Sequence, residues 1–565
     1  MSDDGRLPVV LCWHMHQPYY QEREGGNYQL PWTYLHAIKD YVDMAAIIAE
    51  VPEARAVVNF APILLEQLDD YAQQIRDFLR DGEGLRDPLL AALVMSALPT
   101  EAEPRATLVK ACLRANRKRL IDRFPAYQLL ADMADCVVNN TQAVLYFDEQ
   151  FLVDLLVWYH LAWLGETVRR DDARVHTLVA KRRMFTQHDR RILLEVIGEL
   201  IESVLPRYRT LAEQGQIELS VTPYAHPILP LLLDLRSAHE AMPDATLPLL
   251  SAYPGGTERA RWHVEEGLRV FEAHFGFRPI GCWPAEGSVS DATLKVLAEA
   301  GFQWAGTGGG VLRNSLHRAG MENLQCIHHA YRVTGAEIDC FFRDDGLSDL
   351  IGFSYADWHA DDAVNNLVHH LENIDKACAG EPGRVVSIIL DGENAWEYYP
   401  ENGYHFLSAL YRRLADHPKF KLTTFSEFLA GRPKAAELPH LVAGSWVYGT
   451  FSTWIGERDK NRGWDLLGEA KRAFDAAVTS GRLTGERLTR AERQLAICEG
   501  SDWFWWFGDY NPPDSVRDFE RLYRMHLADL YRLIGEESPD SLTRPISQGG
   551  GAPQMGGVMR RGQES

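Results

Sequence analysis

No segment of the 565-residue chain stays apolar over the length a bilayer demands, so no membrane partner is expected. Positive charge is in short supply. Lys and Arg number 58 against 79 Asp and Glu, a formal charge of −21. Such a surface repels phosphate backbones, which argues against nucleic acid as a partner and is compatible with a neutral ligand. Cysteine is sparse and scattered. The eight residues Cys12, Cys112, Cys136, Cys282, Cys326, Cys340, Cys378 and Cys498 include no pair at close metal-ligand spacing. Some, such as Cys12 and Cys282, sit in apolar runs, and all are expected to be reduced thiols in a cytoplasmic protein. The N-terminal MSDDGRLPVV is acidic and lacks a long apolar core, so no signal peptide is expected. No internal repeat is visible.

What is present is aromatic weight and a rhythm of short apolar runs. Fifteen Trp and 22 Tyr offer flat faces, although most such rings serve as packing units. The runs PVVLCW (8–13), AVVNF (56–60), IELSV (217–221), RPIGCW (278–283), FQWAG (302–306), VVSIIL (385–390) and KLTTF (421–425) read as strands. Amphipathic stretches separate most of them. VSDATLKVLAEAG, for example, opens on Ser290 as a helix cap and closes on Gly301. Strand–helix alternation with strands apolar on both faces means a parallel sheet. About seven units predict an α/β fold closed into an irregular (β/α)7 barrel, with an open doubly wound sheet as the alternative. Residues 1–430 form the predicted barrel domain, with a helical insertion at about 63–214. Residues 431–540 are expected to form a helical domain, and 541–565 a disordered low-complexity tail.

In α/β barrels chemistry collects at the C-terminal ends of strands. His14 and His16 close the first strand, Glu218 lies inside the third, Glu286 follows the fourth, and Asp391 follows VVSIIL. Each alone reads equally as a cap or an ion pair, but four strands converge on one rim. Two chemistries fit. A carboxylate pair cleaves a glycosidic bond, one attacking the anomeric carbon and the other shuttling the proton. Alternatively, His14-x-His16 holds a divalent metal that activates water for amide or ester hydrolysis. Spacing leaves both open. Tyr224 and His226, in TPYAHP, either line the site or shape the turn before Pro227. Trp396, Trp454, Trp503 and Trp506 read as sugar platforms or as packing of the helical domain on the barrel.

HMHQP, GQIELSVTPYAHPILPLL, CWPAEGSVS, LDGENAWEYYP and SDWFWWFGD occur in that order. Together they resemble the five sequence regions of glycoside hydrolase family 57, from about residue 9 to 510, closest to its α-amylase and amylopullulanase-like branch. The resemblance implies a retaining enzyme acting on α-glucans, with no metal or other cofactor needed. It implies a (β/α)7 barrel completed by a helical domain. Residue by residue, it assigns Glu286 as nucleophile and Asp391 as acid/base. It places His14, His16, Glu218, Trp283, Asp502 and Trp505 at the substrate. Transfer to a second glucan, as in a 4-α-glucanotransferase or branching enzyme, is the alternative outcome. At the retaining separation of roughly 5–5.5 Å, charge on Glu286 is expected to raise the pKa of Asp391.

Overall fold

A computed structural model describes residues 5–82, 84–322, 324 and 326–551. Ten strands form one sheet: β1 (Leu7–Met15), β2 (Ala56–Phe60), β3 (Ile217–Val221), β4 (Gly281–Cys282), β5 (Trp304–Thr307), β6 (Tyr331–Val333), β7 (Asp339–Phe342), β8 (Val386–Asp391), β9 (Phe420–Leu422) and β10 (Ala436–Leu438). Seven of them run parallel in the spatial order β8-β1-β2-β3-β4-β5-β7. Closure between β7 and β8 is thin. It rests on a single parallel bridge, Arg343 to Ser387, supported by Asp344 N donating to Ser387 O at 2.8 Å. The result is an irregular seven-stranded barrel. β6 and β10 extend the sheet outside it, with β6 antiparallel to β7.

β1 explains why the barrel holds. Of its nine residues only Pro8 escapes full burial, so the strand is apolar on both faces, as a parallel strand between helices must be. Between β2 and β3, residues 62–213 fold as helices. The longest, Gln187–Glu213, is started by a capping box between Thr186 and Asp189. It packs along Pro62–Asp81, where Gly198 lets the backbones approach: a Cβ there would lie 2.7 Å from the Ile75 side chain.

Residues 458–534 carry the helices Arg458–Thr479, Gly485–Cys498, Asp502–Trp506 and Pro513–Ile534. A buried charge cluster clamps them to the barrel helix Gly256–Phe275. Glu499 accepts from Arg259 at 2.7 Å, from the His263 ring at 2.7 Å and from the Tyr253 hydroxyl at 2.6 Å. The Arg259 charge and the donated hydrogen bonds overcome the cost of burial and hold its carboxyl down at about 2.

Four expectations are corrected. The run 421–425 supplies no barrel stave: β9 pairs only with Leu7–Val9 of β1, and the missing stave is β7. Cys326 and Cys378 are joined in a disulfide, while the other six cysteines are free, five buried and Cys136 exposed. The tail expected to be disordered from 541 is packed as far as 551. Leu542 and Ser547 are buried, Ile546 N donates to Glu520 at 2.7 Å, and Gly550 and Gly551 donate to Asn511 O. Residues 552–565 of that stretch lie outside the described residues. The run 278–283 shrinks to the two residues of β4. Among the described residues, no helix is long and apolar enough to cross a membrane.

Candidate active site

A cavity of about 250 Å³ opens at the C-terminal ends of the strands, roofed by the 502–506 helix. Seven of the eleven candidate residues line it: His14, His16, His226, Glu286, Asp391, Asp502 and Trp505.

Glu286 sits in a tight 3-10 turn just after β4, with φ 58° and ψ 22°. A left-handed backbone is costly for a residue with a Cβ, and such strain persists only where surroundings enforce it. Here Trp446 enforces it from both directions. Its backbone N–H donates to Glu286 O at 3.0 Å, and its indole N–H donates to Oε2 at 2.8 Å. Behind the turn, Trp283 is fully buried, with its ring 5.2 Å from that of Trp446.

Asp391 ends β8 opposite His14 of β1 in register. Its Oδ2 accepts from Asn394 at 3.0 Å. Burial pushes its carboxyl up to about 6, while Asn394, His16 and Arg343 pull the other way. The direction is the expected one, but the cause is burial and not the expected charge on Glu286.

Three imidazoles stack along one wall. The His16 and His226 rings lie 3.7 Å apart, and His14 lies 5.1 Å from His226. His14 Nδ1 faces Asn59 at 2.7 Å, and its Nε2 faces His226 Nε2 at 3.0 Å. His226, itself at φ 60°, bonds through Nδ1 to Ser501 at 2.8 Å. His16 Nε2 meets Asp502 Oδ1 at 2.9 Å. Burial holds His14 down at about 3 and His226 well below the usual imidazole range, so both are neutral at physiological pH. The donor atoms of His16, His226 and Asp502 lie within 4.8 Å of one another, close enough for an ion. The hydrogen bonds already consume those nitrogens except His16 Nδ1, and an ion would have to break them.

Four candidates lie elsewhere. Glu218 points into the barrel floor, accepting from Trp304 Nε1 at 2.7 Å and Ser426 N at 2.9 Å. It is the second residue of β3, too near that strand's start to reach the rim. Tyr224 is buried away from the cavity, donating to Glu66 at 2.7 Å and accepting from Arg493 at 2.8 Å. Trp283 underlies the Glu286 turn without lining the cavity. Trp396 is core, edge-on to Trp13 at 5.7 Å, with its indole N–H on Gly392 O.

Several cavity residues escaped sequence reading. Trp446 lies in an irregular segment with no strand-end signature. Arg343 follows the unrecognised β7; it is buried, paired with Asp345 and Asp349, and 5.8 Å from the Trp446 ring. Glu393 stands two residues after Asp391, inside the quoted GENAW run. Trp32 and Trp163 join Trp506, one of the expected platforms, in an aromatic lining, whereas Trp454 and Trp503 are buried outside it.

A profile of glycosyl hydrolase family 57 matches residues 10–440. Among solved structures, the chain is similar to a family 57 branching enzyme from Thermococcus kodakaraensis (TM-score 0.57, 15% identity, 93% of this chain and 90% of that one). A branching enzyme from Pyrococcus horikoshii gives 0.58 at 15% identity over 95% and 93%. The α-amylase AmyC from Thermotoga maritima gives 0.56 at 14% over 95% of each chain. At these identities the likeness establishes the shared barrel fold.

Proposed function

The chain belongs to glycosyl hydrolase family 57, and from that premise we propose a retaining enzyme that cleaves α-glucans through a covalent glycosyl-enzyme, in the manner of an α-amylase or amylopullulanase. Glu286 attacks the anomeric carbon. Asp391, held un-ionised by burial near pH 6, protonates the departing oxygen and then takes a proton from the incoming water. The observation that carries the reading is that these two carboxyl groups, 105 residues apart in sequence (391 − 286), line one cavity.

The rest of the lining supports it. His16 Nδ1, Trp163 Nε1 and Glu393 Oε2 belong to lining residues and are buried without partners among the described residues, hydrogen-bonding capacity that a bound sugar would use. The neutral histidines offer uncharged hydrogen bonds, and Trp32, Trp505 and Trp506 offer stacking faces. The donor atoms of His16, His226 and Asp502 are close enough for an ion, so a metal-dependent hydrolase is the reading of another class that the chelator arm below tests. The similar structures include branching enzymes, so transfer to a second glucan stays the competing outcome of the same intermediate.

Incubation with maltoheptaose and with pullulan, with product lengths followed over time, tests the reading. Only shorter products from maltoheptaose mean hydrolysis, and longer or branched ones mean transfer. Maltotriose from pullulan means α-1,6 cleavage. No turnover of any glucan, or activity that vanishes with chelator and returns with zinc, overturns the proposal.

A further inference from the structure

Glu393 is one of the carboxyl groups at the cavity to which the two-carboxylate mechanism gives no task. It is 2% exposed and lines the same wall as Asp391. Its two oxygens differ sharply. Oε1 is turned to three donors: His16 N at 3.1 Å, Gln17 Nε2 at 3.1 Å and the Tyr41 hydroxyl at 3.3 Å. The backbone N–H of His16 can only donate. The Gln17 amide is oriented by Tyr20, whose hydroxyl donates to its Oε1 at 3.0 Å, so its NH₂ end faces Glu393. Oε2 has no partner among the described residues. All three protein donors gather on one oxygen, so no described residue supports charge on the other. The neighbouring charges discourage ionisation further. Asp391 precedes it on the same segment, and Asp40 faces it from the Ala37–Tyr41 turn. Lys39, the nearby cation, is engaged with Asp40 and Asn402, and Arg343 across the cavity with Asp345 and Asp349. Burial and Asp391 push the Glu393 carboxyl well above the usual range.

We propose that Glu393 enters the reaction as an un-ionised acid, its Oε2–H donating a hydrogen bond to a glucan hydroxyl beside the scissile bond. The three donors on Oε1 leave the proton to Oε2, the oxygen that no described residue engages. A neutral donor suits this place better than a cation, because it binds sugar without stabilising the ionised form of Asp391. Glu393 then joins the specificity of the site, and it rests on the glucan-active reading above.

Glutamine is the isostere of the neutral acid: its carbonyl takes the three donors and its NH₂ faces the cavity. Glu393→Gln therefore keeps kcat/KM on maltoheptaose within about tenfold of wild type, while Glu393→Met, which cannot donate, loses about 10²–10³-fold. Circular dichroism and thermal unfolding confirm that both variants are folded. The infrared difference spectrum between wild type and Glu393→Gln at pH 7 reads protonation directly, as a protonated-carboxyl C=O band lost in the variant. Glutamine as damaging as methionine, methionine as active as wild type, or no such band overturns the assignment. A wild-type chain that turns over no glucan ends the functional reading instead, and the infrared band still decides the state of Glu393.

Discussion

At the scale of single residues, Asp391 and Glu286 are prepared by opposite means. Asp391 is pushed towards its acid form by burial, so in the proposed mechanism the form that protonates the leaving group prevails below about pH 6 and is lost as pH rises through that value. On the alkaline side kcat/KM should fall about tenfold per pH unit above that point. In Asp391→Asn that limb should vanish together with most of the activity; a limb that survives would assign it to another group. Glu286 is aimed by Trp446. Trp446→Phe keeps the ring packing on Trp283 and removes one hydrogen bond to a charged acceptor, worth about 1.5–3 kcal/mol. A fall in kcat of about 10–100-fold with KM little changed is the expected result; unchanged kcat would show that the strained turn alone positions the carboxylate. The motif residues were legible because strand ends and chemistry coincide in barrels. Trp446 and Arg343 were not, because one sits in an irregular segment and the other follows a four-residue strand. Glu218 misled because it alternates with apolar neighbours as a rim residue would, while its position early in β3 sends it to the floor.

At the scale of elements, the Glu499 cluster decides where the 502–506 helix sits. His226 O accepts from Ser501 N at 2.9 Å, two residues beyond Glu499, and Asp502 follows to reach His16. Glu499→Gln leaves Arg259 buried without its counter-charge, at a cost of about 3–5 kcal/mol. Activity should fall with stability, as Asp502 and Trp505 lose their station. The folded pKa is depressed, so this contribution is fully present above the ordinary glutamate value and is lost as pH falls towards about 2. Thermal unfolding between pH 7 and pH 3 should show wild type losing stability faster than Glu499→Gln; parallel curves would contradict the assignment. The five-residue strands β2 and β3 were readable to the residue, and the helical stretches as periodic patterns without their ends. β4 and β7 were not. Two to four residues carry too little alternation to stand out, and the barrel supplies their pairing from neighbours distant in sequence.

At the scale of the whole molecule, the barrel is closed by one bridge between β7 and β8, and its seam lies beside Arg343. Near that seam the Cys326–Cys378 disulfide ties the segment before β6 to the end of the Ala360–Ala377 helix, spanning 52 residues. Cysteine spacing in the sequence gives no sign of it, since only the fold brings those two positions together. Cys378→Ser should lower stability by about 3–4 kcal/mol under oxidising conditions and leave it unchanged under full reduction. A loss that persists under reduction would trace to packing instead. The formal charge of −21 predicts weak salt dependence towards a neutral glucan, because no long-range steering acts on an uncharged ligand. The proposed covalent step ties these scales together. A 5-fluoro-α-glycosyl fluoride traps a glycosyl-enzyme where water attacks slowly, and peptide mass spectrometry then locates the sugar. Labelling of Glu286, lost in Glu286→Gln and retained in folded Asp391→Asn, is the predicted result; labelling of another residue, or turnover with inversion and no adduct, would contradict it.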